Sequence, residues 1–197
     1  MNQQLVNASR EGDIDTLYSL IRKDPCLLEH VDAIPYVNSP LHVAASSGRI
    51  EFATEIMRLK PSLSRKLNGD GFSPIHLALQ NRHTQVVLGL LEIDGELVCV
   101  KGREGITPLH YAASLGNMEL LPKFLSVCPK SIQDLTVRNE TALHIALRNN
   151  RSEAFEFLLK WVCHARVLNQ QDVEGNTLLH IATIRNHTHF VRLLLIT

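Results

Sequence analysis

Aromatic residues make up only 5% of this chain, and neither sign of charge is in excess, with 20 lysines and arginines against 20 aspartates and glutamates. The first scarcity suits thin helical layers better than one bulky core. The second argues against a partner held mainly by charge, such as a duplex phosphate backbone or an anionic membrane surface. The four cysteines, Cys26, Cys99, Cys128 and Cys163, are far apart and form no Cys-x-x-Cys pair. A disulfide-stapled secreted scaffold is therefore not indicated, and reduced cytosolic thiols are expected. No run approaches the roughly 18 apolar residues needed to span a bilayer. The polar start Met1-Asn2-Gln3-Gln4 has neither the basic nor the apolar segment of a signal peptide. Nucleophile elbows, phosphate-cradling glycine loops and kinase signatures are missing too, which leaves an enzyme reading without support. The 45% of apolar residues still marks a folded chain.

What the chain has is a period. Five tetrapeptides recur along it: Ser39-Pro40-Leu41-His42, Ser73-Pro74-Ile75-His76, Thr107-Pro108-Leu109-His110, Thr141-Ala142-Leu143-His144 and Thr177-Leu178-Leu179-His180. The steps between them are 34, 34, 34 and 36 residues. A period of that length means stacked small units, each unable to bury its own apolar face, and it points to a binding protein. Small residues follow each block, as in Ala44-Ala45 and Ala112-Ala113, so helices can approach closely. Next comes a stop at constant offset, Gly48, Arg82, Gly116, Asn150 and Asn186, where glycine and asparagine suit a left-handed cap and Arg82 carries a conformational cost. Apolar residues at helical spacing then mark a second helix, for example Leu120, Leu121, Phe124 and Leu125. Upstream of the blocks, Gly71, Gly105, Asn139 and Gly175 share one offset, as a tight hairpin with positive φ requires. Val37 departs from that pattern in the first hairpin. The stretch from Leu5 to Leu28 fits a degenerate first unit that caps the stack with polar residues. The two-residue excess falls around Trp161 to Arg166 and is expected in a loop.

The Thr-Pro-Leu-His block, the alanines, the glycine stop and the period together resemble the ankyrin repeat, over the whole chain. More narrowly, the segments Ile56-Met57-Arg58-Leu59-Lys60-Pro61, Asp70 to Asn81 and Val100 to His110 are similar to plant ankyrin proteins of the bian-da type. The resemblance implies an all-α ankyrin-repeat solenoid of about six helix-turn-helix units, in one domain over 1–197, with repeats near 1–34, 35–68, 69–102, 103–136, 137–172 and 173–197. It further implies a C-terminal PGG membrane domain, absent from this chain, and a role in immune and stress signalling. The pattern breaks off at Leu193-Leu194-Leu195-Ile196-Thr197 without a polar closing helix. The expectation is thus the cytoplasmic, N-terminal part of a longer, membrane-anchored protein that touches no membrane itself.

Regular histidines suggest metal chemistry at first sight. Equivalent side chains of successive repeats stand about 10 Å apart, however. Zinc ligands must lie about 2.0–2.1 Å from one ion. His42, His76, His110, His144 and His180 therefore cannot share a metal, and the family resemblance gives them a structural role, bonding backbone and a neighbouring Thr. His180, His187 and His189, with Cys163, make a weaker candidate, because His187 and His189 point different ways on a helix. No metal and no cofactor are expected. In ankyrin stacks partners lie along hairpin tips and inner short helices. Carried over position by position, the resemblance implies a concave binding face of Tyr36, Asp70, Phe72, Gln80, Asn81, Arg103, Glu104, Ile106, Leu115, Arg138, Glu140, Arg148, Glu174 and Arg185, with Val137, Val173 and Ile184 beside them. Aromatics and arginines there suit a protein or peptide ligand, and no nucleic acid. The expected function is non-catalytic protein–protein interaction; the alternative is an intramolecular module docking on its own C-terminal membrane domain to control assembly or transport.

Overall fold

The repeated block starts a helix by chemistry shared between copies. Ser39, Thr107 and Thr141 take an extended backbone, and each hydroxyl accepts the backbone N–H of the histidine three residues on, while that ring bonds back to the capping residue. This is a capping box with histidine in the place glutamate usually takes. Pro40, Pro74 and Pro108 sit in the first helical turn, where no N–H is needed. The stops behave as the offset predicts. Gly48, Arg82, Gly116, Asn150 and Asn186 have φ of 74°, 59°, 70°, 55° and 56°. The residue after each returns its N–H to an alanine carbonyl, as in Arg49 to Ala44, His83 to Ala78 and Arg151 to Ala146, each at 2.9 Å. That bond closes a Schellman cap.

The computed structural model describes residues 2–162 and 165–196, and all regular elements among them are helical. They fall into two units, residues 1–103 and 104–197. The first unit contains α1 (Gln3–Glu11), α2 (Ile14–Lys23), α3 (Leu27–Ala33), α4 (Pro40–Ser46), α5 (Ile50–Leu59), α6 (Pro74–Gln80) and α7 (Thr84–Ile93). Short helices pack as a row, α1 on α4 and α4 on α6, and α5 packs on α7 behind them. In the second unit α8 (Pro108–Leu115), α9 (Leu120–Val127), α10 (Ala142–Arg148), α11 (Ser152–Trp161), α12 (Ala165–Leu168), α13 (Leu178–Ile184) and α14 (Thr188–Ile196) repeat the scheme, with α10 between α8 and α13. The two-residue excess includes Cys163 and His164, which lie outside the described residues. So does the candidate ligand Cys163.

The core of each unit is the seam between helix pairs. Leu41, Ala44, Ala45, Phe52, Ala53 and Ile56 are fully buried in the first unit, as are Leu109, Ala112, Leu121, Phe124, Leu143 and Phe155 in the second. One element is new relative to the sequence reading. What looked like a loop after the longer helix is a 3-10 turn, at Pro61–Ser64, Gly95–Cys99 and Pro129–Gln133. It buries Leu63, Leu97 and Ile132 under the stack. After α2 its place is taken by the longer α3.

Candidate partner-binding surface

Three of the hairpins are each tied at the base by one side chain. Asn68 Oδ1 accepts the N–H groups of Asp70 (3.1 Å) and Phe72 (2.9 Å). Thr136 Oγ1 does the same for Arg138 and Glu140, both at 3.2 Å. Asp172 Oδ1 accepts from Glu174 at 3.0 Å and Asn176 at 2.8 Å. The tips are then linked to one another through backbone: Arg103 N–H to Gly71 O at 2.7 Å in the first unit, Val137 N–H to Glu104 O at 2.9 Å and Val173 N–H to Arg138 O at 3.0 Å in the second. These ties leave the tip side chains projecting from a fixed backbone.

The motif histidines lie beneath the tips. His42 is fully buried. Its Nδ1 stands 2.8 Å from Ser39 Oγ and its Nε2 donates to Phe72 O at 3.0 Å. His110 repeats the arrangement with Thr107 Oγ1 at 2.8 Å and Glu140 O at 3.2 Å. His76, His144 and His180 pair through Nδ1 with Ser73, Thr141 and Thr177. Each of these rings is engaged with the cap of its own helix. Burial pushes the pKa of His42 and of His144 down to about 4.

Of the residues predicted for the face, Tyr36, Asp70, Gln80, Asn81, Arg103, Glu104, Arg138, Glu174 and Arg185 are exposed, and Phe72, Ile106 and Leu115 are half-buried. Asn81 also caps α6, its amide donating to Leu77 O. Two predicted residues turn inward. Glu140 is buried, and Arg148 stands between it (Nε to Oε1, 2.7 Å) and buried Asp172 (Nη2 to Oδ2, 2.6 Å). Burial raises the Glu140 pKa despite Arg148 and Arg138. Burial pushes Asp172 up as well, but bonds from Asn176, Arg148 and Glu174 outweigh it and hold that carboxyl below its usual range. In the first hairpin the positive φ sits at Tyr36 (50°) rather than at Val37, the position equivalent to the glycines.

Sequence reasoning missed two kinds of contributor. Arg49, His83 and Arg151, just past the stops, reach back to the carbonyls of Arg10, Ser46 and Ser114 at 2.9, 3.0 and 3.0 Å, clasping neighbouring short-helix ends. Their shared offset of seven residues after the motif histidine was a readable signal. Arg10 lies beside Ser46 and Ser47 although its unit lacks the motif, and its offset, two residues before the stop at Gly12 as Ser46 is before Gly48, was a readable signal.

A model described as "Ankyrin repeats (3 copies)" matches residues 5–101 and 96–167, and one described as "Ankyrin repeat" matches 174–196. The chain belongs to the ankyrin-repeat family. Its fold class is accordingly the all-α ankyrin solenoid that the resemblance implied. Among relatives, the ankyrin repeat-containing protein BDA1 of Arabidopsis thaliana is 41% identical over 98% of this ankyrin chain and 47% of its own length. Rabankyrin-5 of Mus musculus is 26% identical over 80% of the chain and 13% of its length. The human transient receptor potential cation channel subfamily A member 1 is 37% identical over 51% of the chain and 9% of its length. The ankyrin chain thus spans about half the length of BDA1 and a small part of the others. Among the described residues no helix is long and apolar enough to cross a membrane.

Proposed function

We propose that this ankyrin stack, a protein–protein interaction module, holds its partner along the hairpin tips and the ends of the short helices, without catalysis, as the cytosolic part of a membrane-linked plant immune or stress signalling protein. One observation carries the location of the face. Large apolar side chains stand in water there, Tyr36 at 72%, Val137 at 67%, Val173 at 61% and Ile184 at 74% exposed; away from the tips and short-helix ends Leu195 on α14 is as open, at 69%, and the other exposed large apolar side chains are no more than 43% exposed. Apolar and aromatic side chains held out on a fixed backbone are what a partner can desolvate at little ordering cost. Backbone strain supports the same place, because Tyr36 and Glu104 hold left-handed φ of 50° and 58°. Strain of this kind clusters at functional sites. The signalling and membrane part rests on the likeness to plant proteins of the bian-da type, and BDA1 is a plant relative in keeping with it.

The test is a paired capture from plant membrane and cytosolic extracts, read by mass spectrometry. One bait is the native chain, and the other carries Arg103→Glu, Val137→Ser and Val173→Ser with its melting temperature checked. A protein held by the native bait and lost from the variant is the expected result. Equal catches from both baits would remove the tips from the binding site.

A further inference from the structure

The first unit carries a polar groove of about 300 Å³, lined by Arg10, Asn38, His42, Val43, Ser46, Ser47, Asn68, Asp70 and Leu77. One rim is made of helix ends: Arg10 in the last turn of α1, and Ser46 and Ser47 at the end of α4. The other rim is made of hairpin bases, with Asn38, Asn68 and Asp70. Charge is divided between the rims, a lone guanidinium on the first and a lone carboxylate on the second. Both are exposed, and neither has an ion-pair partner among the described residues. The floor is half-buried Val43 and Leu77.

The polar lining is pre-set in detail. His42 spends both ring nitrogens, on Ser39 and Phe72. Buried Asn68 spends its Oδ1 on the hairpin and donates Nδ2 to Asn38 Oδ1 at 2.8 Å. That bond fixes the Asn38 amide and leaves its own N–H groups as donors. The hydroxyls of Ser46, which already donates to Val43 O, and of Ser47 add acceptors on the facing rim. Donors and acceptors face each other across a narrow apolar floor, which is what an extended peptide backbone bonds to. A volume of this size is at the small end of ligand sites, so the groove seats the small middle of a peptide while charged side chains on either side lie along the exposed rims.

We infer that this groove takes an extended peptide segment with an acidic residue set against Arg10, a small apolar residue on Val43 and Leu77, and a basic residue against Asp70. The inference gives the partner of the recognition face a chemistry, and it rests on that reading only for the partner's being a polypeptide. Its polarity is fixed by the chain, cation on the helix rim and anion on the hairpin rim.

The experiment is a methyl-detected NMR titration of the whole chain with three capped peptides: acetyl-Glu-Gly-Ala-Gly-Lys-amide, its Glu/Glu form and its Lys/Lys form. The mixed peptide is expected to shift the Val43 and Leu77 methyls saturably. Replacing either charged end loses one exposed ion pair, so the other two bind up to about fivefold more weakly. Arg10→Glu should transfer the preference to the Lys/Lys peptide, and Asp70→Lys to the Glu/Glu peptide, with melting temperatures close to the native value in both. Equal affinity for all three peptides, no shift at Val43 and Leu77, or an unchanged preference in either variant overturns the inference. If the groove stays silent while partner capture still responds to the tip variant, only the groove falls. If capture ignores the tips while the peptides switch as described, the tips fall and the groove stands.

Discussion

Arg82 is where backbone cost is most plainly visible. It holds a φ of 59° at the stop where Gly48 and Gly116 sit at 74° and 70°. An L-residue in the left-handed region costs about 1–2 kcal/mol, because Cβ crowds the following carbonyl oxygen. Glycine escapes that crowding but gives back roughly 0.5–1 kcal/mol through the extra freedom of the unfolded chain. Arg82→Gly should therefore stabilise the protein by about 0.5–1 kcal/mol, seen as a higher urea midpoint with an unchanged slope. Asn150→Gly should gain less, since asparagine tolerates its φ of 55°. A lower midpoint for Arg82→Gly would mean that the arginine side chain holds something the backbone argument leaves out. At this scale the sequence was highly legible, because left-handed positions select their residue types in isolation. Tyr36 marks the limit. Its φ of 50° takes the turn one residue before Val37, the position aligned with the glycines, and no residue preference in Ile34-Pro35-Tyr36 signals the shift.

At the scale of elements, the helices were legible from the block, the stop and the apolar spacing, whereas the joints between elements were not. The 3-10 turns at 61–64, 95–99 and 129–133 offer only one or two apolar residues each, too few to show a period. The Arg148 joint escaped for a different reason. Glu140, Arg148 and Asp172 lie on a hairpin, on α10 and on the next hairpin, so nothing local in the sequence announces that they meet. Aligned on the motif, Arg148 takes the place of Gln80 and Ile184, which face water, and the same carry-over assigned it to a partner. Physical pairing sets its cost. The Asp172 side chain is 1% exposed and that of Glu140 is 7%. Removing the cation between two buried carboxylates leaves charge without compensation, at about 3–5 kcal/mol for a fully buried pair. Arg148 is itself 29% exposed, so Arg148→Ala belongs at the lower end of that range. Arg185→Ala, an exposed arginine bonded to one carbonyl, should cost within about 1 kcal/mol. Urea unfolding of both variants decides the matter, and equal costs would show that the triad is no brace between hairpins.

Over the whole molecule, buried motif histidines tie stability to pH, and each unit holds at least one. His42 in the first and His144 in the second have folded pKa values near 4 against an ordinary 6.5, chiefly because burial disfavours the charged ring. Between those values the unfolded chain binds the proton and the folded chain does not, so acid favours unfolding. The stability is fully present above 6.5, falls as pH drops through 6.5 towards 4, and levels off below. At about 1.4 kcal/mol per pKa unit, a gap of this width is worth about 3 kcal/mol for each histidine. Carboxylates act in other windows. Asp172, held low, withdraws its contribution only below its ordinary 3.8. Glu140, pushed above its ordinary 4.5, is relieved by acid and offsets part of the loss near that pH. The steep region between pH 6 and 5 therefore belongs to the histidines. His144→Gln keeps a neutral polar group beside Thr141 without the titration. It should lower stability at neutral pH and make the loss between pH 6.5 and 4 shallower by about 3 kcal/mol, read from urea midpoints across that range. A pH profile of native depth in His144→Gln would mean that other groups drive the acid sensitivity. A profile flattened completely would assign it to His144 alone and remove His42.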